Sequence, residues 1–307
     1  MPGKKRRSLP GFGLSLGYAL FYLSLLVLIP LAGCIIKASS LSWADFWRVV
    51  SDPIAVAAYK LSFIASFVAA ILNAVCGLIV AWVLVRYEFP GRKLLDALVD
   101  LPLALPTAVA GITFASLYSP SGWFGRHLGF LEPDGGVGHW FGSDGWFGQY
   151  VCELDVRSYG GPVAIVVVLM FVGIPFVIRS VQPVLAEFEA EQEEAAASMG
   201  ASRWQTFRHV ILPSLIPAWL TGFALAYARG LGEYGSVIFV ADGIPGKSLI
   251  PPVLIVSRLE EFDSTRQAFK YDEAAAIAVV LLLFSFVTLV AINLLERWSK
   301  RYEPTEA

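Results

Sequence analysis

Residues 187–213 read EFEAEQEEAAASMGASRWQTFRHVILP and form the longest polar interruption between two apolar stretches of the chain. From Ala186 to Met199 nearly every residue is a good helix former, and Gly200 can take the left-handed conformation that ends a helix. The run Ser202–Gln205 has the pattern of a capping box, which marks the start of another helix. Pro213 suits the first turn of a further helix. The pattern predicts an elbow of helix, glycine turn, short helix and proline-initiated helix.

The composition of the 307-residue chain is typical of an integral membrane protein. Hydrophobic residues make up 56% and charged residues 16%, whereas a soluble domain carries roughly 25% charged residues. The three cysteines are scattered and indicate neither a disulfide framework nor a metal site. We therefore expect an all-α fold embedded in a membrane.

Six uncharged stretches are long enough to cross a bilayer as helices, which takes about 20 apolar residues. They are Leu14–Ile36, Leu61–Val85, Leu101–Gly125, Ser158–Ile178, His209–Ala228 and Ala274–Leu295. The third contains three prolines, so we expect its helix to end near Tyr118. The first follows the basic run Lys4–Arg7 and is too long for a cleaved signal peptide. We therefore predict six transmembrane helices, the first of them a retained signal anchor.

The distribution of Lys and Arg predicts the orientation of the chain in the membrane. If the N-terminus lies in the cytoplasm, the segments on that side carry the larger share of these residues. We therefore predict a multi-pass protein with both termini in the cytoplasm and residues 187–213 on the cytoplasmic face. Residues 1–13 and 297–307 are then cytoplasmic tails, and the glycine-rich segment 120–148 is an external loop.

A short tryptophan-rich segment follows the first span. Residues 41–50 include Trp43, Phe46 and Trp47, and tryptophan favours the headgroup level of a bilayer. This segment is predicted to form an interfacial helix, so residues 14–58 combine the first transmembrane helix with it.

The sequence contains no recognisable catalytic or metal-binding motif. The three histidines lie far apart, and neither HExxH nor CxxC occurs. Gly246–Ser248 resembles the end of a phosphate-binding loop, but Ala241 stands where the loop requires a glycine. We therefore expect no enzymatic activity, no metal and no bound cofactor on this chain. If this protein uses nucleotide energy, another subunit must bind the nucleotide.

The stretch Asp100–Thr107 reads DLPLALPT and opens the third apolar segment. Pro102 and Pro106 are four residues apart and are expected on one face of a helix. Each frees backbone groups that protein or water must satisfy, as in a helix that lines a pathway. Asp100, Pro102, Pro106 and Thr107 are therefore candidates for the translocation pathway. The alternative for Asp100 is a carboxylate at the membrane surface beside a harmless kink.

Arg229 and Glu233 are four residues apart in the glycine-rich sequence RGLGEYG and can pair along one helix face. The glycines permit either close helix packing or a break in the helix. A break would expose amide groups that attract an anion together with Arg229. Two interpretations stay open: an ion pair that holds two helices together, and direct contact with a transported ligand.

The elbow resembles the EAA loop of ABC importer permeases, whose pattern is EAA-x3-G-x9-I-x-L-P. Only Val210 departs from the pattern, at the isoleucine position. The resemblance implies that the loop 186–213 forms the coupling helix that seats in a cleft of a cytoplasmic ATPase. It also implies a type I ABC importer transmembrane domain over residues 59–296. The implied coupling residues are Glu194, Ala195, Ala196, Gly200, Val210, Leu212 and Pro213.

Further stretches resemble the oxyanion permeases of this family, and most closely the T-type sulfate/thiosulfate permeases. They are Asp52–Ile54, Ala58–Phe63, Arg86–Arg92, Asp100–Pro102, Pro106–Gly111 and Leu231–Ser236. The resemblance implies a channel-forming subunit of the inner membrane and adds Ser236 to the candidate pathway. It also implies two ATPase subunits that bind ATP and Mg²⁺, a second, related permease and a periplasmic sulfate-binding protein. Lipid, but no nucleic acid, completes the expected partners.

Two alternatives to this function stay open. The first is a molybdate or tungstate permease of the same family, which shares the Leu-Gly-Glu-aromatic-Gly element. The second belongs to another class, a secondary transporter driven by an ion gradient, in which Asp100 and Glu233 would bind the coupling ion. The spacing of the EAA loop argues against the second alternative.

Overall fold

A computed structural model describes residues 12–119, 122–123, 161–188, 190–263 and 268–300. The chain divides into two compact units. One comprises the N-terminal part up to Ser51 together with Ile255–Val280, and the other comprises Asp52–Leu254 together with the part from Leu281 onward. Within the described ranges both units are built almost wholly from helices.

The helices are numbered here in chain order. They are α1 (Phe12–Ala38), α2 (Trp43–Val50), α3 (Pro53–Arg86), α4 (Arg92–Val99), α5 (Leu101–Ala104), α6 (Thr107–Tyr118), α7 (Pro162–Glu187), α8 (Ala190–Ser198), α9 (Arg203–Leu231), α10 (Val237–Val240), α11 (Pro251–Glu260) and α12 (Tyr271–Lys300). Two short strands, β1 (Phe262–Asp263) and β2 (Ala268–Phe269), pair antiparallel between α11 and α12.

Five helices in the described ranges are long and apolar enough to cross a membrane, namely α1, α3, α7, α9 and α12. Their positions agree with five of the predicted spans. The predicted third span is divided, since α5 ends at Ala104 and α6 begins at Thr107. Helix α6 ends at Tyr118, as expected, but its 12 residues extend only about 18 Å. The predicted count of six full spans is therefore not confirmed.

Pro106 explains why the third span is divided. Leu105 has an extended conformation with ψ of 136°, and Pro106 itself has ψ of 131°. A proline ring disfavours the helical conformation of the residue before it, so the helix stops and restarts. The expectation that Pro102 and Pro106 share a helix face is wrong for this reason. Pro102 is buried, whereas Pro106 is exposed.

The core of the larger unit lies where α3, α7 and α9 pack together. Helix α3 presents a face of small residues to its neighbours: Ala55, Ala58, Ser62, Ala65, Ser66, Ala69, Ala70, Ala74, Gly77 and Ala81. A Cβ atom at Gly77 would lie 2.8 Å from Cγ1 of Val177, so this position requires a glycine. Trp219 Nε1 of α9 donates a hydrogen bond to the carbonyl of Ala74 at 2.7 Å. Small residues of this kind let membrane helices approach closely.

The predicted interfacial helix is formed as α2. Ser42 caps it by accepting a hydrogen bond from the Asp45 amide at 3.1 Å. Trp43 is exposed on one side of the helix, whereas Val49 and Val50 are buried on the other. Such a two-faced short helix fits the headgroup level of a bilayer.

A charged cluster lies beside the strand pair, between the end of α11 and the start of α12. Lys270 Nζ donates to Glu261 Oε1 at 2.5 Å, and Arg258 Nη1 donates to Glu261 Oε2 at 2.8 Å. The hydrogen bond from Lys270 is the main cause that lowers the pKa of Glu261, and Arg258 adds to it. These contacts join the end of α11 to Lys270, the residue before α12. Most of the predicted external loop 120–148, and both predicted tails in part, lie outside the described residues.

Candidate functional site

The elbow after α7 begins with a helix that ends on a glycine cap. The Gly200 amide donates to the carbonyl of Ala197 at 2.9 Å, and the Ala201 amide donates to the carbonyl of Ala196 at 3.0 Å. Gly200 has φ of +84°, the left-handed conformation that favours glycine. These are the bonds of a Schellman motif. The predicted helix stop at Gly200 is confirmed.

Helix α9 begins with the predicted capping box. The Gln205 amide donates to Ser202 Oγ at 3.4 Å, and the Ser202 amide donates to Gln205 Oε1 at 2.8 Å. Pro213 lies in the first turn of the regular part of α9, Leu212–Leu231, as expected. That part is nevertheless continuous with the capped turn through a π turn at Phe207–Ile211. Because proline cannot donate a backbone hydrogen bond, the wider turn lies where the hydrogen-bond ladder is interrupted.

Arg86, at the end of α3, attaches the elbow to the helix bundle. Its Nη2 atom lies 2.5 Å from Glu193 Oε1 of α8. Its guanidinium lies 5.3 Å from the ring centroid of Trp82 and 5.9 Å from that of Phe188. The Trp82 ring in turn packs edge-on against Phe207 of α9. Arginine is suited to this position, because its planar guanidinium can form an ion pair and lie against aromatic rings at the same time.

The predicted coupling residues divide between the bundle and the outer surface. Ala196 is 4% exposed and packs inward, and Val210 and Leu212 are half-buried. The exposed members are Glu194, Ala195, Gly200 and Pro213. Beside them, Met199 and Trp204 expose most of their apolar side chains. The elbow therefore presents a mixed acidic and apolar surface on the side away from the bundle.

A second cluster connects α7 to the segment before the divided span. Arg179 Nε and Nη2 donate to the two carboxylate oxygens of Asp100 at 2.8 and 2.6 Å. Arg179 Nη1 donates to Asp96 Oδ1 at 2.8 Å, and Nη2 donates to the carbonyl of Asp96 at 2.8 Å. A guanidinium that binds a carboxylate with two parallel bonds fixes the geometry of both partners. The structure thus places the candidate Asp100 in an ion-pair network.

Gln182 completes this network. Its Nε2 donates to Asp96 Oδ1 at 3.1 Å, and its Oε1 accepts from Arg179 Nη1 at 2.6 Å. The hydrogen bond from Gln182 is the main cause that lowers the pKa of Asp96, and Arg179 adds to it. Asp96, Arg179 and Gln182 were not predicted as partners from the sequence. The available signal was an arginine followed three residues later by a glutamine at the end of an apolar span.

Glu233 lies at the break that follows α9 and is only 1% exposed. Its Oε1 accepts hydrogen bonds from the amide and the hydroxyl of Ser236, at 3.0 and 2.9 Å. Its Oε2 lies 2.6 Å from Arg229 Nη1. The predicted pairing of Arg229 with Glu233 is confirmed. Of the two alternatives for the glycines, the structure shows both a break, since α9 ends at Leu231, and close packing, since Gly235 lies against Thr107. A break in the helix was expected to leave amide groups free for an anion. In the structure the Ser236 amide donates instead to the Glu233 carboxylate.

The two breaks in the transmembrane helices pack against each other. A Cβ atom at Gly235 would collide with Oγ1 of Thr107. A Cβ atom at Gly111 would lie 2.5 Å from the carbonyl oxygen of Ser236. Glycine is therefore required on both sides of the contact. The structure brings together Thr107, Ser236 and Glu233, three of the candidate pathway residues, at one junction between α6 and the α9–α10 connection.

Metal ligands do not cluster in the part of the chain that the structure describes. No group of three or more His, Cys, Asp and Glu side chains there has a geometry that could hold a metal ion. The polar groups at the two helix breaks offer hydrogen-bond donors and a guanidinium, which are suited to an anion.

Comparison with known families identifies the chain. A family model described as "Binding-protein-dependent transport system inner membrane component" matches residues 73–301. The chain belongs to this family. The match includes the elbow, the Arg179 cluster and both helix breaks. This inner membrane component is accordingly a multi-pass transport subunit.

Similar proteins extend the match to almost the whole chain. The "Sulfate transport system permease protein CysT" of Salmonella typhimurium (strain LT2) is 46% identical over 96% of both chains. The protein with the same description from Escherichia coli (strain K12) is 44% identical over the same shares. A third, from Synechocystis sp. (strain PCC 6803), is 44% identical over 92% of this chain and 88% of its own.

Solved structures share the fold at low sequence identity. One is a bacterial ABC transporter that imports the acidic polysaccharide alginate, with a TM-score of 0.66, 16% identity and 95% of each chain covered. Another is the inward-facing MetNI methionine ABC transporter, with a TM-score of 0.54, 18% identity and coverage of 84% of this chain and 99% of that one. The predicted all-α transmembrane fold of an ABC importer is confirmed.

Proposed function

We propose that the chain is the channel-forming permease of an ATP-driven importer that carries sulfate and thiosulfate across the inner membrane. The observation that carries this proposal is the similarity to sulfate transport system permeases over nearly the full length of both chains. The identity of 44–46% to these permeases is also well above the 16–18% identity to the solved importers of alginate and methionine. A secondary transporter would have no use for the EAA elbow.

The elbow is the proposed contact with an ATPase. Glu194 and Ala195 face outward on α8, whereas Glu193 and Ala196 bind that helix to the bundle. A small residue beside a carboxylate allows a helix to seat closely in a cleft and still find charged partners. ATP and Mg²⁺ bind to two such ATPase subunits, and this chain supplies no catalytic group. A movement of the ATPases is transmitted to the bundle through α8 and α9.

In the proposed assembly, this chain forms one half of the channel. A second, related permease completes the pathway, and a periplasmic sulfate-binding protein delivers the anion from outside. Both termini lie in the cytoplasm, on the same side as the elbow. The membrane-spanning bundle alternates between two packings, to which nucleotide and binding protein bind with different affinities.

The proposed pathway runs past the junction of the two helix breaks. Arg229 is 36% exposed, so its guanidinium is accessible to an anion. The Ser236 hydroxyl binds the same Glu233 carboxylate as Arg229, and Thr107 lies against the neighbouring Gly235. Pro102 and Pro106 divide the helix that carries Thr107, and Asp100 holds the start of this segment on Arg179. Broken helices near the bilayer midplane commonly form substrate sites in transporters.

Radiolabelled sulfate uptake tests the function. Proteoliposomes would contain this chain, its second permease and its ATPases, with binding protein and ATP supplied on the appropriate sides. We expect ATP-dependent uptake of sulfate that thiosulfate competes with. Uptake of molybdate in preference to sulfate would show that the anion has been assigned wrongly.

A matched pair of variants tests the coupling contact. Glu194→Arg reverses a charge on the outward face of α8, and we expect uptake to fall at least tenfold while ATPase binding weakens. Gln192→Arg adds the same side chain to an exposed position on the same helix, and uptake should stay within twofold of wild type. Equal uptake by both variants would show that the Glu194 face does not contact the ATPase.

A further inference from the structure

The Glu233 carboxylate occupies a complete anion-binding cradle. Its Oε1 accepts two hydrogen bonds from Ser236, and its Oε2 faces the Arg229 guanidinium at 2.6 Å. A backbone amide, a hydroxyl and a guanidinium are the groups that proteins use to bind oxyanions. In this conformation an internal carboxylate holds all three donors.

The cradle is formed where two helices break, and Arg229 is its exposed member. Ser236 is fully buried and Glu233 is 1% exposed, whereas the side chain of Arg229 is 36% exposed. Gly235 and Gly111 let the cradle pack directly on Thr107 and the rest of α6. Arg229 is therefore the member of the cradle that an anion can reach while the carboxylate is in place.

The internal carboxylate solves an electrostatic problem of anion transport. A guanidinium within the membrane is costly without a counter-ion, and an unpaired one would also hold a dianion too firmly for release. A glutamate on the same segment neutralises the guanidinium whenever no anion is present. An arriving anion then exchanges with an existing charge, so its net binding is weak.

We propose that Glu233 is an exchangeable internal counter-ion. During transport it releases Arg229 and Ser236, which then bind a tetrahedral oxyanion. The inference rests on the proposed function, since it assigns a binding site for the proposed class of substrate. The exchange requires only that the segment Gly232–Ser236 change conformation, because all of the cradle donors and the carboxylate lie within eight residues of one another. No proton transfer or covalent step takes part.

Equilibrium binding of radiolabelled sulfate to the assembled complex tests the proposal. The complex of this chain with its second permease and ATPases is placed in lipid nanodiscs without nucleotide or binding protein. Wild type should retain little sulfate, because Glu233 holds the donors. Glu233→Gln keeps the size of the side chain and removes its charge, and we expect saturable retention at least tenfold above wild type.

Two further variants identify the site of retention. Adding Arg229→Gln to Glu233→Gln should return retention to the wild-type level, since the guanidinium is then lost. Glu191→Gln removes a carboxylate from the exposed surface of α8 and should leave retention unchanged. Retention by assembled Glu233→Gln that equals wild type, or that persists without Arg229, would overturn the proposal.

A conservative variant covers the case in which Glu233→Gln does not assemble, as judged by gel filtration. Glu233→Asp keeps the charge but is one methylene shorter, so it reaches the cradle less well. Its sulfate retention should rise about threefold or more, and no increase would overturn the proposal.

Uptake by the wild-type complex separates this inference from the proposed function. If wild type imports sulfate and the assembled Glu233 variants retain none, the counter-ion exchange alone is refuted. If wild type imports molybdate and not sulfate, the assigned anion is wrong, and the same binding series with labelled molybdate decides the exchange.

Discussion

Arg179 and Asp100 lie 79 positions apart in the sequence and meet through two parallel hydrogen bonds, of 2.8 and 2.6 Å. The pair connects a long transmembrane helix to the start of a helix that Pro106 interrupts. Of the four residues of α5 only Pro102 is buried, so the ion pair adds a directional contact that fixes the start of this segment. The same guanidinium also binds Asp96, which attaches α4 to the same place.

Arg179→Lys should weaken this connection. A lysine retains the charge but cannot form two parallel bonds with one carboxylate. Because the side chains are between a third and a half exposed, we expect a loss of about 1 kcal/mol of stability. Sulfate uptake should fall several-fold. Thermal unfolding of the purified protein and uptake in proteoliposomes measure the two effects.

Arg208→Lys is the control for this substitution, because Arg208 is exposed at the start of α9. It should change neither stability nor uptake. An Arg179→Lys protein as stable and active as this control would contradict the role assigned to the two-bonded pair.

The Asp96 cluster should lose its stabilising effect only in acid. The pKa of Asp96 is lowered in the folded protein, by Gln182 and then Arg179, from about 3.9 in an unfolded chain. Its contribution is therefore complete above that value and is lost as the pH falls through the folded pKa. The difference in melting temperature between wild type and Asp96→Asn should be constant from about pH 8 to 5. It should shrink below about pH 4. A difference that already declines between pH 7 and 5 would contradict this assignment.

Gly235→Ala should disrupt the junction of the two helix breaks. The added Cβ would collide with Thr107, which moves either α6 or the Glu233 segment. Three residues earlier, a Cβ atom at Gly232 would meet no heavy atom within 4 Å, and this glycine has a negative φ of -97°. We expect Gly235→Ala to reduce uptake at least tenfold and Gly232→Ala to be nearly neutral. Equal effects would show that the close approach is not required.

The elbow angle should depend on the left-handed conformation of Gly200 and not on space. No atom lies within 4 Å of a Cβ at this position, but φ is +84°. Such a conformation costs a typical residue roughly 1–2 kcal/mol, and asparagine less. Uptake should therefore decrease in the order glycine, asparagine, alanine, valine, with ATPase binding measured in parallel. An alanine variant that outperforms asparagine would show that the backbone conformation does not set the elbow angle.

The features that short-range chemistry decides were predictable from the sequence. Long apolar runs predicted five of the spans, because burial in lipid requires each segment to satisfy its own backbone. The glycine cap at Gly200 and the capping box at Ser202 were also predictable, because their hydrogen bonds join residues at most five apart in the sequence. The Arg229–Glu233 pair, four residues apart, belongs to this class.

Features that depend on distant partners were not predictable in the same way. Arg179 meets Asp96 and Asp100 only because α7 packs beside α4 and α5. The contact between Gly235 and Thr107 joins two helix breaks that lie 128 positions apart in the sequence. The division of the third span depended on whether the proline kinks a helix or ends it, and both outcomes satisfy the local pattern.

Helix α9 is one rod from the elbow to the counter-ion. Its 29 residues extend about 43 Å at 1.5 Å per residue. A tilt of about 5° at the capped end therefore displaces the far end by about 4 Å, which exceeds the length of a hydrogen bond. On the proposed function, a small rotation at the ATPase contact is thus amplified at the other end of the helix, where the Glu233 segment packs against Thr107 through Gly235.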